Sequence, residues 1–141
     1  MKDESDLGFD WYDAWILAAL VWATEEDTPV PLWRLIWFAD ALNKAIVTRG
    51  ELECGLRRLV SAGFVEVVPD GFKATPPALA LRAPGPPVET VSHAIGAREW
   101  SPRSEFPRTT ESTYVTPDAY SQALRKYGKE FRKASRPGKT P

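Results

Sequence analysis

The first long hydrophobic run, residues 10–23 (DWYDAWILAALVWA), is apolar almost all round, with Asp13 as the main interruption. A helix without a polar face has to be buried on all sides, so this run predicts a central first helix. The acidic, proline-bearing stretch 24–31 ends it as a loop, in which Val30 is a candidate for a short strand. From Pro31, a residue suited to the first helical position, Leu32, Leu35, Ile36, Ala39 and Leu42 recur on one helical face. Trp33 and Trp37 lie four apart on another flank with Phe38 beyond, more apolar surface than one core face requires.

The third helix has a sharp start. Thr48 and Glu51 fit a capping box, in which each side chain satisfies an orphan backbone donor of the other residue. Leu52, Leu56, Leu59 and Val60 form its buried stripe, and Gly63 is the expected stop, since glycine accepts the left-handed conformation there. Val65 and Val67 then alternate with outward positions as in a half-buried strand. Pro69, Asp70 and Gly71 make a turn, Phe72-Lys73-Ala74 returns as the partner strand, and Thr75-Pro76 opens a short segment.

Residues 83–116 hold five prolines and nine serines or threonines, which predicts an extended or partly disordered linker with Trp100, Phe106 and Tyr114 as isolated anchors. The last regular element is a helix over 117–134: Thr116 caps it, Pro117 is its first residue and Asp118 complements its dipole. Tyr120, Leu124, Tyr127 and Phe131 share one face, and Arg125, Lys126, Lys129, Arg132 and Lys133 fill the rest. Gly128 weakens this helix by about 1 kcal/mol relative to alanine. Residues 135–141 are expected to fray.

The run Glu51-Leu52, Leu56, Arg58-Leu59-Val60, Ala62-Gly63-Phe64-Val65, Gly71-Phe72 and Thr75-Pro76 resembles winged helix-turn-helix regulators of the MarR and PadR type. The resemblance spans residues 10–82 and implies a mainly α fold with a small β-hairpin wing, an α+β winged helix followed by a C-terminal helix. Two features depart from those families. Only nine residues precede the first helix, where MarR-like proteins carry a dimerising helix, and a linker of 34 residues follows the hairpin, where PadR-like proteins place theirs.

Composition narrows the chemistry. With 141 residues, 43% hydrophobic and 26% charged, the chain suits one domain with extras. A single cysteine, Cys54, precludes an internal disulfide, and a single histidine, His93, precludes a histidine-rich metal site. No apolar run reaches a membrane span, and the acidic start lacks a basic signal region, so a cytoplasmic protein is expected. Asp13, Asp40 and Asp70 are isolated in sequence and no phosphate-binding glycine loop is present, so no catalytic residue, metal or cofactor is expected.

The net charge of −1 hides an asymmetry: residues 1–82 carry 13 acids and 8 bases, and residues 83–141 carry 6 acids and 10 bases. In the winged-helix reading the third helix enters the major groove of double-stranded DNA, with Arg57 and Arg58 as base or phosphate contacts and Arg49 and Lys73 on the backbone. The protein would then be a dimeric transcriptional regulator. Against this, Glu53 precedes Arg57 by four residues, the better orientation for a surface ion pair. The rival is a protein-interaction or homodimerising module without DNA binding. There the C-terminal helix swaps onto a partner subunit, held by Tyr120, Leu124, Tyr127 and Phe131 against the first helix and the Trp33/Trp37 flank. The six tryptophans read as core and interface rather than as a ligand pocket, and Cys54 as inert rather than as a redox switch.

Overall fold

The computed structural model describes residues 8–98 and 109–135. The expected anchors Trp100 and Phe106 and the tail beyond Ser135 lie outside the described residues. The elements run α1 (Trp11–Ala23), α2 (Leu32–Asn43), α3 (Arg49–Ser61), β1 (Val65–Val68), β2 (Gly71–Ala74), α4 (Pro76–Leu79), α5 (Pro87–Ile95) and α6 (Pro117–Ala134). The protein is thus mainly helical, with one two-stranded antiparallel sheet.

Helix α1 is buried on nearly every side, as its sequence demands, and packs against α2, α3 and α5. Asp10 and Asp13 close a capping box at its start. At the other end the Arg82 guanidinium donates to the Val21 carbonyl at 2.7 Å and lies over the Trp22 ring. That places a cation at the negative end of the helix dipole. Helix α2 buries Leu35, Ile36 and Ala39, with Leu32 and Leu42 packed at the margin. Pro31 sits one residue earlier than expected, as the cap rather than the first helical residue.

Helix α3 begins with the expected box, Glu51 N–H donating to Thr48 Oγ1 at 3.1 Å and Thr48 N–H to Glu51 Oε1 at 2.9 Å. Leu52, Leu56 and Leu59 fill the core, while Val60 is only half-buried. Gly63 stops the helix at φ +84°. The hairpin pairs Val65 with Ala74 and Val68 with Gly71, and Val30 bridges Phe72 from the other side at 2.8 and 2.9 Å. That bridge makes β2 the inner strand and β1 the edge. It explains why Val65 and Phe72 are buried but Val67, expected inward, is 46% exposed. Thr75 closes the hairpin, its hydroxyl donating to the Gly63 carbonyl at 2.6 Å.

Gly71 is fixed by this arrangement. Its φ is +147°, and a Cβ there would stand 2.2 Å from the Val30 carbonyl oxygen. Gly71→Ala is therefore expected to break the Val30–Phe72 bridge at a cost of about 2–3 kcal/mol. Chemical denaturation checks this, and an unchanged midpoint would show that the hairpin does not pack on Val30.

The expected linker over 83–116 is corrected in its first half. Pro87 opens α5, Val88 and Val91 are buried against α1, and Gly96 ends the helix in the left-handed region. Proline content suggested an extended chain, but Pro87 sits at a helix start, where its missing N–H costs nothing. The linker's described end, residues 109–116, runs as irregular chain. Helix α6 follows, capped by Thr116, and packs on α2 rather than on the first helix. One core joins all of this, with Val88, Val91, Val115 and Ala123 in the same cluster as α1 and α3. Among the described residues no helix is long and apolar enough to cross a membrane.

Candidate functional site: the outer face of the third helix

The flank of α3 that carries Arg49, Glu53 and Arg57, beside the leucine stripe, is covered by residues 109–116. Arg49 reaches across them and donates to the carbonyls of Thr109, Glu111 and Val115 at 2.6, 2.8 and 2.9 Å. One turn on, the Glu53 carboxylate, 0% exposed, accepts the Tyr114 and Val115 amides at 2.9 and 3.0 Å. Arg57 closes the row, pairing with Glu53 at 3.2 Å and Glu111 at 2.6 Å. A planar guanidinium with five donors suits a run of carbonyls, and a carboxylate with two oxygens suits consecutive amides. The α3 face thus reads the backbone of an extended segment, which explains why that segment stays in place without secondary structure of its own.

Burial by itself would raise the Glu53 carboxyl, but the Val115 and Tyr114 amides and Arg57 outweigh it and hold its pKa below the ordinary glutamate range. A depressed carboxylate contributes its stability above the unfolded pKa and loses it as pH falls through the folded one. Residues 109–116 are therefore expected to loosen on acidification, with a midpoint below about pH 4.3. The Tyr114 and Val115 amide resonances followed through a pH titration measure it. A midpoint at or above the free-glutamate value would contradict the pairing.

Arg58 faces a different way. Its Nε and Nη2 donate to the two Asp13 oxygens at 2.7 and 3.0 Å, Asp10 lies at 3.5 Å, and the Tyr12 hydroxyl accepts a further bond. Asp13 also accepts the Asp10 amide at 2.8 Å. Burial lifts the Asp13 carboxyl above the usual carboxylate range, with Arg58 and the Asp10 amide acting against that. Burial works against the Arg58 charge too, but Asp13 and Tyr12 push its pKa upward, and this is the direction the bidentate geometry supports. Burial likewise lifts the Tyr12 phenol to about 12. The pair is an ionised lock between α1 and α3.

Each of the four cations singled out in the sequence thus has a partner within the chain. Arg49 holds carbonyls, Arg57 holds Glu53 and Glu111, Arg58 holds Asp13, and Lys73 meets the exposed Asp27 at 2.5 Å. Spacing alone pointed to the Glu53–Arg57 pair; Glu53's bonds to Tyr114 and Val115 have no local signal. Cys54 is half-buried, and burial pushes its thiol up despite Arg58 and Arg57, which supports the inert reading.

The second cluster is aromatic. Trp37 meets Tyr127 edge-on at 5.6 Å and Phe131 at 6.1 Å, Trp33 stands at 6.2 Å from Trp37, and Lys126 lies over the Trp33 ring. The Tyr127 hydroxyl donates to Asp40, and burial followed by that carboxylate pushes its pKa up to about 12. The Tyr120 hydroxyl donates to the Val47 carbonyl at 2.7 Å, and Leu124 packs at the core margin. Phe131 remains 49% exposed. Trp11 and Trp15 belong elsewhere, walling a groove of about 410 Å³ with Ile46 and Glu51. Asp13 and Asp40 are thus held by Arg58 and Tyr127, and among the described residues no three His, Cys, Asp or Glu side chains gather as a metal site. Compared with protein-family models, curated proteins and solved structures, the chain gives no match.

Proposed function

We propose that this chain is a winged-helix protein-interaction module in which the third helix engages the chain's own residues 109–116 rather than a DNA groove. The observation that carries the reading is the state of the α3 cations. A groove-reading helix needs outward, uncompensated cations, whereas Arg49, Arg57 and Arg58 are bonded to carbonyls and carboxylates of the same molecule. The order of three helices and a hairpin, with Val30 adding a third strand beside Phe72, supports the winged-helix assignment. That fold carries both repressors and docking modules, so the site has to decide between them.

The surface this reading assigns to a partner is the ridge of half-buried Trp33 and Trp37 with exposed Phe131, since aromatic side chains dominate interface cores. A second copy of the chain is the partner this reading assigns to it. Sedimentation velocity over a wide concentration range tests it, with Phe131→Glu as the variant. The expected result is a wild-type dimer that the substitution weakens at least tenfold. A MarR- or PadR-type DNA regulator is the alternative, and it requires residues 109–116 to leave α3. A monomer that binds duplex DNA in a manner lost on Arg57→Ala would establish that alternative instead.

A further inference from the structure

The docking of α6 decides which of its sides faces water. Tyr120, Leu124 and Tyr127 turn toward the core and α2. At about 100° per residue, Arg125, Lys129 and Arg132 then fall on the opposite side, within an arc of roughly 60°. All three are exposed, and among the described residues no ion pair or side-chain hydrogen bond engages them. Lys126 and Lys133 flank the stripe, tied to Glu130 at 3.0 and 3.9 Å. Ser121 and Gln122 add neutral donors one turn earlier, and Asp118 is the acid at the far end of this side.

We propose that this face of α6 binds the phosphate backbone of duplex DNA without regard to sequence. Three points on the helix support that partner. The stripe is about 10 Å long from Arg125 to Arg132, about three axial steps of 3.4 Å along one strand, so its three cations can each face a phosphate of that strand. Two of its three cations are arginines, whose planar forks suit phosphate oxygens. An anionic membrane fits less well, because an interfacial helix must bury its apolar face in lipid, and here Tyr120, Leu124 and Tyr127 of that face pack on the core and α2, leaving Phe131 as its exposed residue. The inference does not rest on self-association, and it places the DNA contact away from α3.

Fluorescence anisotropy of the full chain with a labelled duplex of about 20 base pairs tests it, using two unrelated sequences and a salt series. Neutralising three phosphates predicts a log–log salt slope near −3 and a loss of roughly 40-fold in affinity between 50 and 200 mM salt. Both sequences are expected to bind equally. The triple substitution Arg125→Gln, Lys129→Gln, Arg132→Gln is expected to weaken binding at least tenfold and flatten the slope at an unchanged melting temperature. Arg57→Ala, the control for α3, leaves binding as it was. No binding at low salt, a triple variant that binds like wild type, or stronger binding to phosphatidylserine vesicles than to the duplex would overturn the proposal. Sedimentation of the triple variant reports separately on the ridge, so a failure here is distinguishable from a failure of the interaction reading.

Discussion

Arg58→Ala lowers the melting temperature by about 10–15 °C, the largest effect expected of any single side chain in this protein. The substitution leaves Asp13 fully buried inside α1 with its guanidinium partner gone. Removing one member of a buried pair costs about 3–5 kcal/mol, because the remaining charge has neither water nor a counter-ion. For a chain of this size each kcal/mol moves the midpoint by roughly 2–4 °C. Differential scanning calorimetry reads the shift. The companion variant Asp13→Asn separates charge from packing: with Arg58 partly exposed and Asp10 still near it, the loss is expected to be smaller. Equal and small losses for both variants would mean that the pair is solvated rather than locked.

The second effect is local. Glu53→Ala removes the acceptor of the Tyr114 and Val115 amides and one partner of Arg57. Each buried donor left unmade costs about 1–3 kcal/mol, which suggests a loss of roughly 2–4 kcal/mol for the pair, Tyr114 being only half-buried. The cost falls mostly on residues 109–116, because the leucine stripe of α3 is untouched. Glu53→Gln keeps an oxygen in place and is expected to retain more than half of the stability that alanine loses. Limited proteolysis shows the difference, with cleavage near 109–116 in the alanine variant well before the body unfolds. Cleavage spread evenly over the chain would show that Glu53 supports the core as a whole.

The two positions differ in how far the sequence announces them. The ends of α3 and α6 are written locally. Thr48 with Glu51, Thr116 with Ala119, and Gly63 at its positive φ each act within four residues, so they can be read from the chain. Helix α5 was legible too, in Val88, Val91 and Ile95 at helical spacing between Pro87 and Gly96. The proline and serine content around it outweighed that short pattern. Asp13 gave half a signal, since a carboxylate in an all-apolar helix must find a partner. Nothing in the sequence pointed across 45 residues to Arg58.

The α3 face was read in part. Arg57 takes Glu53 as the i, i+4 partner that the spacing indicated, whereas Arg58 turns to Asp13 of α1. The sequence did not reveal that Arg49 and Glu53 hold carbonyl and amide groups some 60 residues away. Backbone groups carry no residue identity, so a contact made to them leaves no trace in the residues of the segment contacted. The same limit explains why Val67 was expected inward: only the Val30 bridge shows that β1 lies at the edge.

Residues 109–116 lie along the Arg49–Glu53–Arg57 flank of α3, and amide hydrogen exchange of Tyr114 and Val115 measures this directly. Both amides donate to a buried carboxylate and are expected to exchange at least a hundredfold more slowly than free peptide amides, with Glu53→Ala removing most of that protection. Exchange at free-peptide rates in the native protein would mean that α3 keeps its outer face open, and the interaction reading would give way to a helix free to meet DNA.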